Sequence, residues 1–125
     1  MATQGKAKVV SIDDDDDLMR SALQGLLKAV GLPARAFASA EEFLESGQRQ
    51  ETSCLIADIS MPGMSGLELQ SRLNTEHLKI PIIFITAHGD EKIRMQALRA
   101  GAVEFLTKPF DEEVLLEYVR AAMEG

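Results

Sequence analysis

The feature that most restricts the fold of this chain is the stretch of residues 54–66. It begins with Cys54 and three further small or apolar residues, as expected of a strand that is buried on both faces. It ends in a loop rich in proline and glycine, after which an amphipathic segment starts at Leu67. A single carboxylate, Asp58, stands between the strand and the loop. One aspartate at a strand end is most simply a turn residue, so its significance depends on what ends the other strands.

Four more apolar runs have the character of strands, and segments of helical periodicity follow each of them. The predicted strands cover residues 9–12, 34–37, 54–57, 81–86 and 102–106. The second strand is weakly patterned and is expected at an edge of the sheet, whereas the fourth is apolar on both faces and is expected to be central. Strands that alternate with helices in this way predict an α/β fold, in which right-handed crossovers join a parallel sheet covered by helices on both faces.

Capping residues mark the ends of the predicted helices. Asp16 and Asp17 are expected to cap the first helix, and Asp111 the last. Ser39 is expected to cap the second helix, with Glu42 completing a capping box. The third helix is expected to fray at Asn74. The side chains predicted to face inward from the last helix are Val114, Leu115, Tyr118, Val119 and Ala122.

Length and charge limit the class of protein. The 125 residues are expected to form one domain, with residues 1–7 as a flexible polar lead. The formal net charge of −7 argues against direct binding of nucleic acid by this segment. No apolar run approaches the roughly 20 residues that cross a membrane, and residues 1–8 lack a secretory signal pattern. The single cysteine, Cys54, is expected to be a buried thiol, which favours the cytoplasm.

Polar side chains stand at the ends of four of the predicted strands. They are Asp14 and Asp15 after the first strand, Asp58 after the third, Thr86 at the end of the fourth, and Lys108 just past the fifth. The carboxyl ends of parallel strands share one edge of the sheet. These side chains are therefore predicted to converge in one crevice.

The chemistry of this crevice suits a metal ion and a phosphoryl group. Three carboxylates repel one another unless a cation lies among them. A ligand set made only of oxygens favours a hard ion such as Mg²⁺ over zinc. A lysine and a hydroxyl beside a metal-bound carboxylate can neutralise and hydrogen-bond phosphoryl oxygens. The carboxylate itself can accept phosphate.

Four motifs in this order resemble those of the receiver domain of two-component response regulators. They are Asp14-Asp15; Asp58 followed by Met61-Pro62-Gly63 and Gly66; Thr86-Ala87; and Lys108-Pro109-Phe110. The likeness extends over residues 8–123, and residues 37–44 and 83–90 are most similar to the subgroup with a helix-turn-helix output domain of the nodulation-regulator type. It implies one receiver domain over residues 1–125, with the flavodoxin-like strand order 2-1-3-4-5.

The resemblance also implies how the site binds metal and phosphate. Asp58 is expected to accept a phosphoryl group from a sensor histidine kinase. Asp15, Asp58 and the backbone carbonyl of Ser60 are expected to bind Mg²⁺, and Asp14 is expected to assist through water. Lys108, whose bond to Pro109 is cis in relatives, is expected to pair with the phosphoryl group. The chain is then a phosphoacceptor that assists its own phosphorylation and dephosphorylation, not an enzyme with a separate substrate.

Signalling is implied to follow from the same site. Thr86 would move toward the phosphoryl group, and Phe105 would turn inward behind it. Ser60 and His88 would tune the rate at which phosphate is lost. The change would reach an output domain, in the same chain or separate, that controls transcription. Phosphorylation is also expected to promote a homodimer through the fourth helix, fifth strand and fifth helix.

Two other classes remain as alternatives. A phosphatase with an aspartyl nucleophile typically has a second acid two residues further on, where this chain has Ser60. A flavin-binding module of the same topology needs a phosphate-cradling loop after the first strand, and the five consecutive aspartates there would repel its ligand. Both are less consistent with the sequence than the receiver domain.

Asp13 departs from the pattern of the family, in which an apolar residue usually precedes the acidic pair. A carboxylate at the buried end of a strand loses hydration and would feel the charges of Asp14 and Asp15, and both effects raise its pKa. We expect Asp13 to lower stability and not to be essential for Mg²⁺ binding. A shift of register by one residue, with Asp13 and Asp14 as the functional pair, is the alternative.

Overall fold

The computed structural model describes residues 9–124, and the predicted flexible lead of residues 1–7 lies outside them. Five parallel strands form one sheet in the order β2-β1-β3-β4-β5. The strands are β1 (Val9–Asp13), β2 (Ala34–Phe37), β3 (Thr52–Asp58), β4 (Ile82–Thr86) and β5 (Glu104–Thr107). The predicted fold class and strand order are therefore confirmed, and β2 lies at an edge as expected.

Five α-helices connect and follow these strands. They are α1 (Asp17–Ala29), α2 (Ala40–Glu45), α3 (Gly66–Thr75), α4 (Glu91–Arg99) and α5 (Glu112–Glu124). A short 3₁₀ helix, Arg49–Glu51, lies in the polar segment between α2 and β3. It leads directly into β3, which begins two residues before the predicted strand, at Thr52.

Most of the predicted helix caps are confirmed. The Asp16 side chain accepts hydrogen bonds from the amides of Leu18 and Met19, and Ser39 accepts one from Glu42. The capping box predicted for α2 is incomplete, because Glu42 accepts from the Ala38 amide instead of returning to Ser39.

A complete capping box lies instead at the start of α3. The Ser65 hydroxyl accepts from the Glu68 amide, and the Glu68 carboxylate accepts from the Ser65 amide. α3 ends at Thr75, one residue after the Asn74 at which fraying was expected, and the Asn74 side chain donates to the Ala100 carbonyl at 3.0 Å.

The sheet separates two apolar layers. One contains the buried faces of α1 and α5, with Leu23, Leu27, Leu115 and Val119 packed on the sheet. The other contains α2, α3 and α4 and includes Phe43, Leu69, Leu73, Phe84 and Ala97. Alternate residues of each strand enter opposite layers, since strand side chains have a period of two. Cys54 is buried in the first layer as a free thiol, as predicted.

The inward face of α5 differs from the prediction at one position. Val114 is 36% exposed, whereas Leu116 and Met123 are buried. Leu115, Val119 and Met123 recur every four residues and set the buried stripe. Val114 lies one residue before this stripe, and a residue next in sequence is turned by about 100° around a helix axis.

Candidate functional site

The strand register brings the predicted polar residues to one edge of the sheet. Asp13 pairs with Ala57, so Asp14 and Asp58 leave adjacent strands at the same level. Thr86 ends β4 and pairs with Thr107. The amide of Lys108 then donates to the Thr86 carbonyl at 2.7 Å and extends the β4–β5 ladder by one hydrogen bond.

Three carboxylates form the centre of the site. Oxygen atoms of Asp14, Asp15 and Asp58 all lie within 4.8 Å of one another. Asp14 and Asp58 are buried, whereas Asp15 is exposed. Asp13 is not a member of this cluster, which supports Asp14 and Asp15 as the acidic pair.

Lys108 joins two of these carboxylates. Its Nζ lies 3.4 Å from Oδ2 of Asp14 and 3.5 Å from Oδ2 of Asp58. Partial burial lowers the pKa of Lys108, but the charges of Asp14 and Asp58 outweigh this effect and raise its pKa overall. The ammonium group is therefore charged at neutral pH. The Lys108–Pro109 peptide bond is cis, as the resemblance implied.

Asp14 is held at every oxygen atom. Its Oδ1 accepts from the Asp16 amide at 2.9 Å, its Oδ2 faces Lys108, and its carbonyl accepts from Arg20 Nη1 at 2.7 Å. Burial raises the pKa of the Asp14 carboxyl, and this outweighs the opposing effects of the Asp16 amide and Lys108. Oδ1 of Asp58 accepts from the Ser60 amide at 3.0 Å. Asp15 is thus the most open of the three carboxylates.

This donor set fits a hard divalent cation. Among residues 9–124, it consists of carboxylate oxygens close enough to repel one another, with one ammonium group shared by two of them. Such oxygen ligands suit Mg²⁺, which retains several waters and needs few protein ligands. Ser60 follows Asp58 closely and is exposed, so its backbone lies beside the cluster.

Thr86 and Phe105, the two residues expected to act as the switch, are both buried. The Thr86 hydroxyl donates to the His88 carbonyl at 3.3 Å and accepts from the His88 amide at 3.2 Å. His88 is exposed. Phe105 is only 6% exposed and packs with the second apolar layer. The Phe105 ring is therefore already buried in this structure, and the Thr86 hydroxyl is hydrogen-bonded to the backbone of the loop that follows β4.

Asp13 has the environment that the sequence suggested, with one difference. The side chain is fully buried, and neither carboxyl oxygen has a hydrogen-bond partner among residues 9–124. Burial and, to a smaller extent, the charge of Glu42 raise its pKa to about 9. The expected contribution of Asp14 and Asp15 is wrong, because Ser11 and Asp13 alternate with Val10 and Ile12 and face the layer that contains α2.

Two residues that support the site were missed by sequence reasoning. Arg20 contacts the acidic loop, and Glu41 accepts a hydrogen bond from the Met64 amide at 2.8 Å, in the loop after β3. Arg20 gave a local signal, since a cation near the start of a helix is unfavourable without acids nearby. Glu41 gave none, because its contact joins residues 23 positions apart.

Within residues 9–124, no helix has the length and apolar character needed to cross a membrane.

Comparisons with known proteins agree with this geometry. A sequence profile of the response regulator receiver domain matches residues 9–120. Response regulator protein TodT of Pseudomonas putida is 47% identical over 118 residues, which make up 94% of this chain and 52% of that protein. Nodulation protein W of Bradyrhizobium diazoefficiens is 47% identical over 116 residues, 93% of this chain and 51% of that protein. The chain spans about half the length of these relatives.

A solved structure supports the same assignment. Response regulator StyR superposes with a TM-score of 0.87 at 42% identity, over 94% of this chain and 60% of that one. The predicted likeness to regulators of the nodulation type is confirmed by the match to Nodulation protein W. The chain belongs to the response regulator receiver domain family, whose role is signalling and not catalysis.

Proposed function

We propose that this chain is a phosphorylation-dependent switch that accepts a phosphoryl group on Asp58 from a sensor histidine kinase. The observation that carries the proposal is the position of Lys108, whose ammonium group lies between Asp14 and Asp58 beside an exposed third carboxylate. One cation shared by two carboxylates leaves the cluster negative, so it can take a divalent metal, and the lysine can then pair with phosphoryl oxygens.

The transfer itself needs little from the protein beyond position and charge. An oxygen of the Asp58 carboxylate forms a bond to phosphorus as the bond from phosphorus to the kinase histidine breaks, and the imidazole leaves with the electron pair. Asp15, Asp58 and the Ser60 carbonyl would hold Mg²⁺, with Asp14 acting through water because its oxygens are already engaged. The ion would neutralise charge on the phosphoryl oxygens.

Thr86 is the residue that would report the phosphoryl group. To donate to a phosphoryl oxygen, its hydroxyl must give up the hydrogen bond that it donates to the His88 carbonyl, so the loop after β4 changes when the site is filled. Gly89 and Thr107 line a cavity of about 270 Å³ beside Phe105, which gives this loop room to rearrange. Because Phe105 is already buried, the larger movement would come from Thr86 and its loop.

Ser60 and His88 would control how long the phosphate lasts. Both are exposed, and they follow Asp58 and Thr86 by two residues each. Their side chains can therefore stand where attacking water approaches the phosphoryl group. Autodephosphorylation of the chain is part of this proposal.

The proposed partners rest on the relatives of this chain, which spans about half of their length. We propose that the chain acts in the cytoplasm, with a sensor histidine kinase as phosphodonor and an output domain, in the same or a separate chain, that contacts DNA. The acidic receiver itself would not bind nucleic acid, given its net charge of −7. A homodimer would form through α4, β5 and α5, where Met95, Val103 and Val114 are exposed.

Incubation with a small phosphodonor such as acetyl phosphate tests this function. With Mg²⁺ present, intact-mass measurement should show the addition of one phosphoryl group, and Asp58→Asn should show none. Sedimentation of the phosphorylated protein tests the homodimer separately. Labelling of Asp58→Asn at the rate of the parent would refute the assignment of the acceptor.

A further inference from the structure

Arg20, the fourth residue of α1, reaches back from the helix to the acidic loop. Its Nη1 donates to the Asp14 carbonyl at 2.7 Å, and its Nη2 pairs with the Asp17 carboxylate. The Arg20 side chain is 19% exposed, whereas that of Asp17 is 88% exposed. The planar guanidinium presents its donors from separate nitrogens in a fixed fork, so it holds two acceptors with less loss of rotational freedom per hydrogen bond than an ammonium group does.

The position of Arg20 is unfavourable for α1 taken alone. The first turns of a helix carry the positive end of its dipole, so a cation there is destabilising. The aspartates at positions 14–17 supply the opposite charge. Arg20 also donates a charge-assisted hydrogen bond to the Asp14 carbonyl, which is a neutral group. Attraction between opposite charges does not explain this contact.

This hydrogen bond fixes the peptide unit between Asp14 and Asp15. A peptide unit is planar, so holding the Asp14 carbonyl also sets the direction in which the chain enters Asp15. The side chain of Asp14 is held separately by the Asp16 amide and Lys108. Asp15 is exposed, and the restraint reaches it through this peptide unit.

We propose, building on the function proposed above, that Arg20 is a positioning residue for Mg²⁺. It holds the Asp14–Asp15 peptide so that the Asp15 carboxylate stays within reach of Asp58 when the ion binds. Partners that orient metal ligands typically contribute 10- to 100-fold to metal affinity. Arg20 contributes in this way although its own charge repels the ion.

The repulsion makes the proposal sharply testable, because the two possible roles of Arg20 have opposite signs. If Arg20 acted only as a nearby positive charge, its removal would strengthen Mg²⁺ binding. If Arg20 positions Asp15, its removal weakens binding. Arg20→Met removes the guanidinium and keeps an unbranched side chain. Arg20→Lys keeps the charge but lacks the planar fork whose two terminal nitrogens contact the Asp14 carbonyl and the Asp17 carboxylate.

The experiment is a titration of Mg²⁺ alone, followed by isothermal calorimetry or by amide shifts in NMR spectra. Arg20→Met should bind Mg²⁺ on the order of tenfold more weakly than the parent, and Arg20→Lys should also bind more weakly. Asp17→Asn is the matched control, since it removes the exposed ion pair and leaves the Asp14 contact; it should change affinity less than about threefold. Without metal, the Asp16 amide should exchange faster in Arg20→Met.

Each outcome decides the question. Equal or tighter Mg²⁺ binding by Arg20→Met would overturn the positioning role, and so would an unchanged affinity in Arg20→Lys. If circular dichroism shows that Arg20→Met does not fold, Arg20→Lys alone decides. A parent protein that binds no Mg²⁺ would refute the proposed function itself, whereas normal binding in the parent and in both Arg20 variants would refute only this role of Arg20.

Discussion

Replacing Asp13 with valine should stabilise the protein at neutral pH. Asp13 is fully buried at the end of β1, between Phe37 of β2 and Ala57 of β3 in the sheet. Neither of its oxygens has a hydrogen-bond partner among the described residues. Valine is close to aspartate in volume, has no polar atoms, and favours strands. The substitution therefore removes a buried, unsatisfied group without leaving a large cavity.

The magnitude follows from the pKa. The folded chain raises the pKa of Asp13 from 3.8 to about 9. Below about pH 4 the Asp13 carboxyl is protonated in both the folded and the unfolded chain, so its titration does not change the free energy of unfolding. Between about pH 4 and 9 the unfolded chain releases the proton while the folded chain keeps it, so stability falls by about 1.4 kcal/mol per pH unit. The loss accumulated by pH 7 is roughly 4 kcal/mol, against a typical total stability of about 5–15 kcal/mol.

Denaturant unfolding followed by far-UV circular dichroism measures this directly. Parent and Asp13→Val should be compared at pH 5 and pH 8 in buffer with a metal chelator. The advantage of the variant should grow by roughly 4 kcal/mol between the two values, because the other titrating groups cancel in the difference. Asp17→Asn, which removes an exposed acid from the same run, is the control for the loss of one carboxylate from this segment. An advantage of Asp13→Val that is constant across this range, or a loss of stability, would refute the reasoning.

Three further predictions concern other positions. His77 follows α3 with φ of 60°, so His77→Gly should raise stability by about 1 kcal/mol; a lower denaturation midpoint would contradict this. Gly63 has φ of +79°, and a Cβ there would lie 2.5 Å from Oε2 of Glu41. The Glu41 side chain can shift to relieve this contact, at the cost of its hydrogen bond from the Met64 amide. Gly63→Ala should therefore destabilise by about 1 kcal/mol more than its control Gly47→Ala, which has a φ of +76° but nothing within 4 Å; equal losses would exclude the Glu41 contact as the cause. Ser60→Ala and His88→Ala should each change the lifetime of the phosphorylated protein, measured by intact mass over time, without abolishing phosphorylation. Unchanged lifetimes in both variants would exclude a tuning role.

The parts of the fold that depend on local pattern were predictable from the sequence. Periodicity located the strands and helices, and capping residues such as Asp16 marked where α1 begins. Parallel strand ends share an edge, so Asp58, Thr86 and Lys108 could be placed together without coordinates. The capping box at Ser65 and Glu68 was also visible as a pattern and was missed.

Features that depend on distant contacts were not predictable in this way. The hydrogen bond from Met64 to Glu41 joins the loop after β3 to α2, and no local pattern specifies it. The charge that raises the pKa of Asp13 further, beyond the effect of burial, is that of Glu42, because the Asp13 side chain faces α2 and not the acidic loop. Exposure of Val114 depends on how α5 is turned against the sheet, which is set by the packing of all its inward residues together.

The rate of phosphorylation by acetyl phosphate as a function of Mg²⁺ concentration tests the central claim most directly. It should be measured in the parent, Asp13→Val and Asp15→Val, with Asp58→Asn as the blank. The account predicts that the parent and Asp13→Val show the same dependence on Mg²⁺ and that Asp15→Val loses both the dependence and the reaction. Labelling of the parent that is unaffected by a chelator, or loss of Mg²⁺ dependence in Asp13→Val, would contradict it.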